Sequence, residues 1–197
     1  MSIASSMLPD IENKVIMQDI DAILLDDFAN PTRKELAFAK IVDKYKQRLY
    51  WHIRRMVVSH DDADDLLQEA FMKAWKYLDH FRRDCALYTW LYRIATNCCL
   101  TFLASKKKKM QLLQNVVEGY LENTVKSSEN FDGNKLEWKL QLAIQSLPEK
   151  QKAVFNLRYY DEMPYEQMSE VFGTSVGALK ASYHHAAKKI EEYILQH

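Results

Sequence analysis

Apolar residues recur along this chain at steps of three and four with few interruptions, which is the period of buried helix faces. In the last third, Val176, Leu179, Tyr183, Ala186 and Ile190 form one such stripe. The residues left facing outward are Gly177, Ala178, Lys180, Ala181, His184, His185 and Lys188. Just upstream, Pro164 to Phe172 predicts a shorter helix. Gly173 then suits a positive-φ turn, and Thr174 or Ser175 can cap the helix that follows. Helix, glycine turn, helix is the pattern of a helix-turn-helix, whose second helix is shaped to enter a DNA major groove. An outward face of small and basic residues suits close approach to a duplex. Two packed helices with a solvated outer face produce the same pattern.

From Pro31 to about Lys109 the pattern is helical almost throughout. The run HDDADD, His60 to Asp65, marks a break and a cap. The helix predicted from Asp62 to Tyr77 has an apolar stripe of Leu67, Phe71, Ala74, Trp75 and Leu78. Its other face shows Asp62, Asp65, Gln68 and Glu69. Acids in a first turn are favoured by the helix dipole; the same face could also dock a basic or polar partner. Asp79 to Ala86 predicts a loop, and Leu87 to Lys107 another long helix. Val15 to Phe28 is a short amphipathic stretch. Gln111 to Asn134 ends in a polar, Ser/Asn/Asp/Gly-rich segment and reads as a linker. The expectation is an all-α protein of two small helical domains, 31–110 and 135–197. A linker over 111–134 joins them, an acidic extension over 1–30 precedes them, and the helix-turn-helix lies in the second.

Composition supports helices. The 197 residues include only four Gly and four Pro, too few for a β-sandwich. No apolar run reaches the length of a membrane span, and the N-terminus lacks a signal-peptide pattern, so a cytoplasmic protein without membrane insertion is expected. Cys85, Cys98 and Cys99 have no metal-finger spacing, and an odd count argues against a disulfide framework. The formal net charge is zero, but the charge is segregated. Met1 to Asn30 holds six acids against one base, Asp61 to Glu69 five acids and no base, and Tyr92 to Met110 five bases and no acid. Such a chain can touch phosphate with one face and a basic protein surface with another.

Two further groups bear on chemistry. Phe81, Tyr88, Trp90 and Tyr92 interleave with Arg82, Arg83 and Arg93, as where a protein stacks unpaired bases and holds their phosphates. The competing reading is core, since Tyr88, Leu91, Ala95, Cys98 and Phe102 also step by three and four. Trp90, Ile94, Asn97 and Thr101 form a second stripe. Lys106, Lys107, Lys108 and Lys109 end that helix, where the dipole favours cations and where phosphate contact is also possible. No catalytic residue, cofactor or metal site is expected. There is no Gly-rich phosphate loop, nucleophile elbow or His–Glu metal pair on a helix face, and the neighbours His184 and His185 point apart.

With these segments in view, the chain resembles a known family. DDADDLLQEAFMKAWKYL, FRRDCALYTWLYRIATNCCLTFL and LPEKQKAVFNLRYY followed by SVGALKASYHHAAKKI are similar to bacterial RNA polymerase sigma factors of the extracytoplasmic-function (ECF) group of the sigma-70 family. The resemblance covers roughly Phe38 to Tyr193, and the Tyr-His-His ending is most similar to versions from Bacteroidetes. It implies a first domain that binds polymerase core and melts the −10 element, and a second that reads the −35 element as duplex. By position, Asp62, Asp65, Leu66, Gln68 and Glu69 match the helix that docks on the clamp coiled coil of the largest polymerase subunit. Phe81, Arg82, Arg83, Tyr88, Thr89 and Trp90 match the part that captures a flipped −10 base. Arg93, Asn97 and Lys106 to Lys109 match positions along the displaced strand and upstream phosphates. Ser175, Gly177, Ala178, Lys180, Ala181, His184, His185 and Lys188 match the −35 reader. The implied partners are polymerase core, at its clamp and flap, promoter DNA, and an anti-sigma or recruiting protein. Relatives often carry arginine where this chain has Ser182, His185 and Ala187, and threonine at Ala178, so its −35 sequence is not theirs to lend. A helix-turn-helix regulator acting without polymerase, or an interaction module with a vestigial helix-turn-helix, are the other readings of the residues.

Overall fold

The computed structural model describes residues 20–112 and 135–196. All regular structure among them is helical. Residues 20–29 are helical (α1). Then come α2 (Lys34–Val57), α3 (His60–Tyr77), a 3-10 turn (Leu78–His80) and α4 (Leu87–Leu112). The second half holds α5 (Lys135–Gln145), α6 (Glu149–Tyr159), α7 (Tyr165–Phe172) and α8 (Val176–Gln196). The expected all-α fold with a helix-turn-helix in its second half is what the chain adopts. The expected linker, apart from its first two residues in α4, lies outside the described residues.

The first half is built on α2, which buries Ala37, Ile41, Tyr45, Leu49, His52, Ile53 and Met56 along one face. That spacing is a helical stripe, and each large aliphatic side chain so buried contributes about 1.5–3 kcal/mol. The reversal into α3 uses no glycine: Val58 takes φ 69°, an uncommon conformation for a β-branched residue. Ser59 then caps α3, its Oγ accepting from the Asp62 backbone N–H at 3.2 Å. The cap is therefore the serine before HDDADD, and the acid run is the helix's first turns. α3 buries Ala63, Leu66, Ala70, Phe71 and Ala74; Phe71, Ala74 and the following Leu78 are buried as expected, while Leu67 is half-buried and Trp75 exposed.

The segment expected as an acidic extension is part of this core from residue 20 onward. Leu24, Leu25 and Phe28 are buried, and Phe28 packs edge-on against Trp75 at 5.4 Å. Asp21, 8 % exposed, accepts from Lys44 Nζ and Tyr45 Oη, both at 2.6 Å. A buried carboxylate so partnered is a structural group; burial, reinforced by Asp21, pushes the Tyr45 hydroxyl well above its usual range.

The two halves pack against each other: α6 lies on α2 and α4, and α7 lies along α4. Ala153, Val154, Leu157, Met163, Met168 and Val171 belong to the same buried cluster as the first half. A second cluster of Ala143, Ile144, Leu147, Phe155, Ala186 and Ile190 joins α5, α6 and α8.

Candidate nucleic-acid and partner interfaces

The helix-turn-helix is built as its residues dictate. Gly173 sits at φ 60°, ψ 34° and closes α7 through its N–H to the Ser169 carbonyl, the left-handed conformation that glycine takes without a Cβ penalty. Ser175 Oγ accepts from the Ala178 backbone N–H at 3.3 Å and caps α8. Leu179, Ala186 and Ile190 are buried, while Val176 and Tyr183 are half-buried. Ser175, Gly177, Ala178, Lys180, Ala181, His184, His185 and Lys188 are all exposed. A Cβ added at Gly177 would meet no other atom within 4 Å, so this face is open at the helix start. Lys180 Nζ stands 5.7 Å from the Tyr165 ring centre, and Lys188 lies 3.9 Å from Glu192 one turn on.

On α3, Asp65, Gln68 and Glu69 are exposed, and so is Met72, 67 % exposed. The periodic pattern alone does not single out Met72; its signal is an apolar side chain three and four positions beyond Glu69 and Gln68, off the buried stripe. Two residues expected on this face behave otherwise. Leu66 is 4 % exposed and packs inward, because the stripe runs through 63, 66 and 70. Asp62 is half-buried and paired with Lys106 Nζ at 3.0 Å.

The loop before α4 and its first turns divide the expected strand-capturing group. Arg82 and Arg83 are exposed, Phe81 and Tyr88 half-buried. Thr89 and Trp90 are 2 % and 7 % exposed, so both are covered where the two halves pack together. Trp90 packs on Phe81 at 5.1 Å between ring centres, and its burial follows because α4 must face both α3 and α7. Arg83 is at φ 58° and binds Asp26 at 2.6 Å, tying α1 to this loop. Farther along, Arg93 is half-buried, and Asn97, Lys107, Lys108 and Lys109 are exposed. Lys106 is turned toward Asp62 and the Phe102 ring, 5.3 Å from its centre.

Where the halves meet lies a polar group that the sequence pattern does not reveal. Asp161, on the turn after α6, accepts at Oδ1 from Arg55 Nη1 at 3.3 Å and from Tyr92 Oη at 3.4 Å. Its Oδ2 stands 3.5 Å from Nδ1 of the fully buried His52, at ion-pair distance but without hydrogen-bond geometry. Tyr88 lies tilted against Tyr92, ring centres 4.5 Å apart, and burial, with Asp161's charge adding, pushes the Tyr88 hydroxyl up to about 12. The Cys85 thiol is raised by burial, opposed by Arg93 and reinforced by Asp84 and Glu170, the last from α7. Cys98 and Cys99 are buried and act as packing residues. Among the described residues no group of three or more His, Cys, Asp or Glu is placed to hold a metal ion. No described helix is long and apolar enough to cross a membrane. A shallow apolar groove of about 390 Å³ opens between α5, α6 and α8, lined in part by Leu140, Phe155, Tyr183 and Ile194.

Family models place these surfaces in context. Residues 41–109 match sigma-70 region 2, and residues 137–190 match sigma-70 region 4. The chain is 33 % identical over 172 residues to an ECF RNA polymerase sigma factor, SigW, of Bacillus subtilis, covering 80 % of this chain and 89 % of that one. It is 29 % identical over 182 residues to the ECF sigma-E factor of Escherichia coli, covering 88 % and 94 %. Two solved structures share the fold at 21 % identity. One is the sigma factor RpoE with the anti-sigma factor NepR from Bartonella quintana, with a TM-score of 0.60 over 80 % of this chain and 96 % of that one. The other is CnrH with the cytosolic domain of CnrY, with a TM-score of 0.62 over 88 % and 96 %.

Proposed function

Because the chain belongs to the ECF group of sigma-70 family RNA polymerase sigma factors, we propose that its first half docks polymerase core and captures the −10 strand while α8 reads the −35 duplex. The protein is a sigma factor that binds polymerase core and directs promoter-specific initiation; what is proposed is which residues do each part. The region boundaries are 31–110 for region 2, 111–134 for the linker and 135–197 for region 4, with α1 in the preceding extension and packed on region 2. A regulator acting without polymerase is not the favoured reading.

Asp65, Gln68, Glu69 and Met72 make the docking face on α3, acidic with one exposed apolar side chain for the clamp coiled coil. Arg82, Arg83, Phe81 and Tyr88 handle the −10 strand, with Arg93, Asn97, Lys107, Lys108 and Lys109 along phosphates. A flipped base costs a few kcal/mol of stacking, recovered where aromatic and cationic groups converge. On α8, Gly177, Ala178, Lys180 and Ala181 stand nearest the groove floor, and His184, His185 and Lys188 nearer phosphates. The groove at Leu140, Phe155 and Ile194 suits an apolar partner such as the polymerase flap. One fold neighbour is a sigma factor held by an anti-sigma factor, and the other is held by a partner's cytosolic domain; a protein regulator is expected here too. The work is binding and placement, in the cytoplasm, with no catalytic step of its own.

The observation that carries this reading is the outward face of α8, every assigned residue of which is exposed, set in one chain with a region 2. The test is co-purification with polymerase core, followed by run-off transcription from promoters selected by the reconstituted holoenzyme. Transcription that needs both core and this chain is the expected result; tight promoter binding by the chain alone, with no effect on core, would overturn it.

A further inference from the structure

We propose that Tyr165 is a positioning residue for promoter reading: its ring, on the first turn of α7, fixes where the Lys180 ammonium stands on α8 and so sharpens which −35 base that lysine selects. The proposal rests on the assignment of Lys180 to the groove floor made above. Lysine is a compact charge on a flexible four-carbon stem, and an unrestrained one reaches several acceptors with equal ease. Lys180 is exposed, and its neighbours on the open face at 177, 178 and 181 are Gly, Ala and Ala, which give the stem nothing to lean on. What meets it comes from the other helix. Its Nζ stands 5.7 Å from the Tyr165 ring centre, inside the ~6 Å within which a ring face attracts a cation. An ammonium carries three N–H donors, so one held against a ring still has donors to turn toward a base.

The ring that holds Lys180 is itself fixed. Tyr165 is half-buried. It meets Tyr183 edge-on at 6.5 Å between ring centres, and Tyr183 is stacked on Phe155 at 5.5 Å with the planes 10° apart. The Arg158 guanidinium, from the last turn of α6, lies 5.3 Å from the Tyr165 ring centre. Arg158 also ties down the turn that leads into α7. Its Nη1 donates to the Glu162 and Met163 carbonyls, both at 3.4 Å, where Glu162 takes φ 50°, a conformation uncommon for a residue with a Cβ. Tyr165 is thus bounded from α6 and α8 before DNA arrives. A lysine already resting on a fixed ring loses less freedom on binding than a free one, and it meets one base position rather than several.

The test compares Tyr165→Phe, Tyr165→Leu and Lys180→Ala in the full chain assembled with polymerase core, each holoenzyme selecting from a randomised −35 library. Phenylalanine keeps the ring and leucine removes it. Tyr165→Phe should keep the wild-type preference. Tyr165→Leu should flatten the preference at the position that Lys180→Ala alters by about two- to fivefold, or ~0.5–1 kcal/mol at about 1.4 kcal/mol per tenfold, and leave the other positions unchanged. In a Lys180→Ala background, Tyr165→Leu should change the preference no further. In the free chain, NMR should show the Lys180 side-chain methylene protons shifted upfield by the ring in wild type and in Tyr165→Phe, but not in Tyr165→Leu. Unshifted methylenes in the wild type, or a folded Tyr165→Leu protein that selects as wild type does, would overturn the proposal. A Tyr165→Phe protein weakened on every sequence alike overturns it too, making Tyr165 a phosphate contact through its hydroxyl. If circular dichroism shows Tyr165→Leu unfolded, the wild-type shift and the Tyr165→Phe selection decide. A Lys180→Ala holoenzyme with unchanged preference sinks the base assignment of Lys180 instead, while the methylene shift still decides whether Tyr165 holds it.

Discussion

Lys152 is a lysine placed where a lysine is unfavourable. It is 6 % exposed on α6, with Gln145 Oε1 as its acceptor at 2.7 Å, and burial lowers its pKa from 10.5 to about 8. The folded state thus holds this proton less tightly than the unfolded chain. Its penalty is in full force below about pH 8 and fades as pH rises toward 10.5, because there the unfolded state binds more protons. Lys152→Met should therefore be more stable than wild type at pH 7, and that advantage should shrink by pH 10. Urea unfolding of the two proteins side by side isolates the effect from the buried tyrosines and cysteines, which titrate in both. Trp90 makes a second test. Its indole is core, against Phe81, so Trp90→Ala should cost about 3–5 kcal/mol of stability. Any transcription defect should then appear on pre-melted and duplex promoters alike. A folded Trp90→Ala protein deficient only on duplex promoters would return Trp90 to the strand-capturing group.

At the scale of single helices, the sequence is most legible where one face meets protein and the other meets water. The outward residues of α8 can all be read this way, because a lone amphipathic stripe has only one phase. α3 and α4 are less legible: α4 is covered on two sides, so Thr89 and Trp90 look free by period and are buried in fact. On α3, Phe71, Ala74 and Leu78 are buried where the period puts them, while Leu66 is also inside and Trp75 is exposed. Asp65→Arg with Gln68→Ala should weaken core binding while shifting stability by no more than about 0.5 kcal/mol, as exposed sites usually do; pull-down at wild-type affinity would misplace the docking face. On α8, Lys180 lies near the helix start, where base edges are reached. Lys180→Ala should change which −35 base is preferred, by about 1–3 kcal/mol at that position. Lys188→Ala should weaken all sequences alike and lower the salt slope by roughly one unit. Selection from a randomised −35 library with each mutant holoenzyme separates the two.

At the scale of the molecule, the two-part organisation is visible in sequence, but not the closure of one part on the other. Interfaces between halves leave little periodic trace: His52 looks like one more member of the α2 stripe, and Asp161 like a turn acid before Met163 and Pro164. Only the fold brings them within 3.5 Å. Because the main buried cluster runs through both halves, the free chain should unfold in a single calorimetric transition, with van't Hoff and calorimetric enthalpies in agreement. Two resolved transitions would mean that the halves are thermodynamically independent.

The shared cluster also limits how such a chain can be recombined. Met163, Met168 and Val171 are at once supports of the helix-turn-helix and mates of α2 and α4. A graft that imports another factor's promoter reader would bring DNA contacts shaped for one duplex and an inner surface shaped for a different region 2. A hybrid made by cutting at the linker should therefore initiate at the new promoters, but its halves, no longer matched across the shared cluster, should unfold in separate transitions.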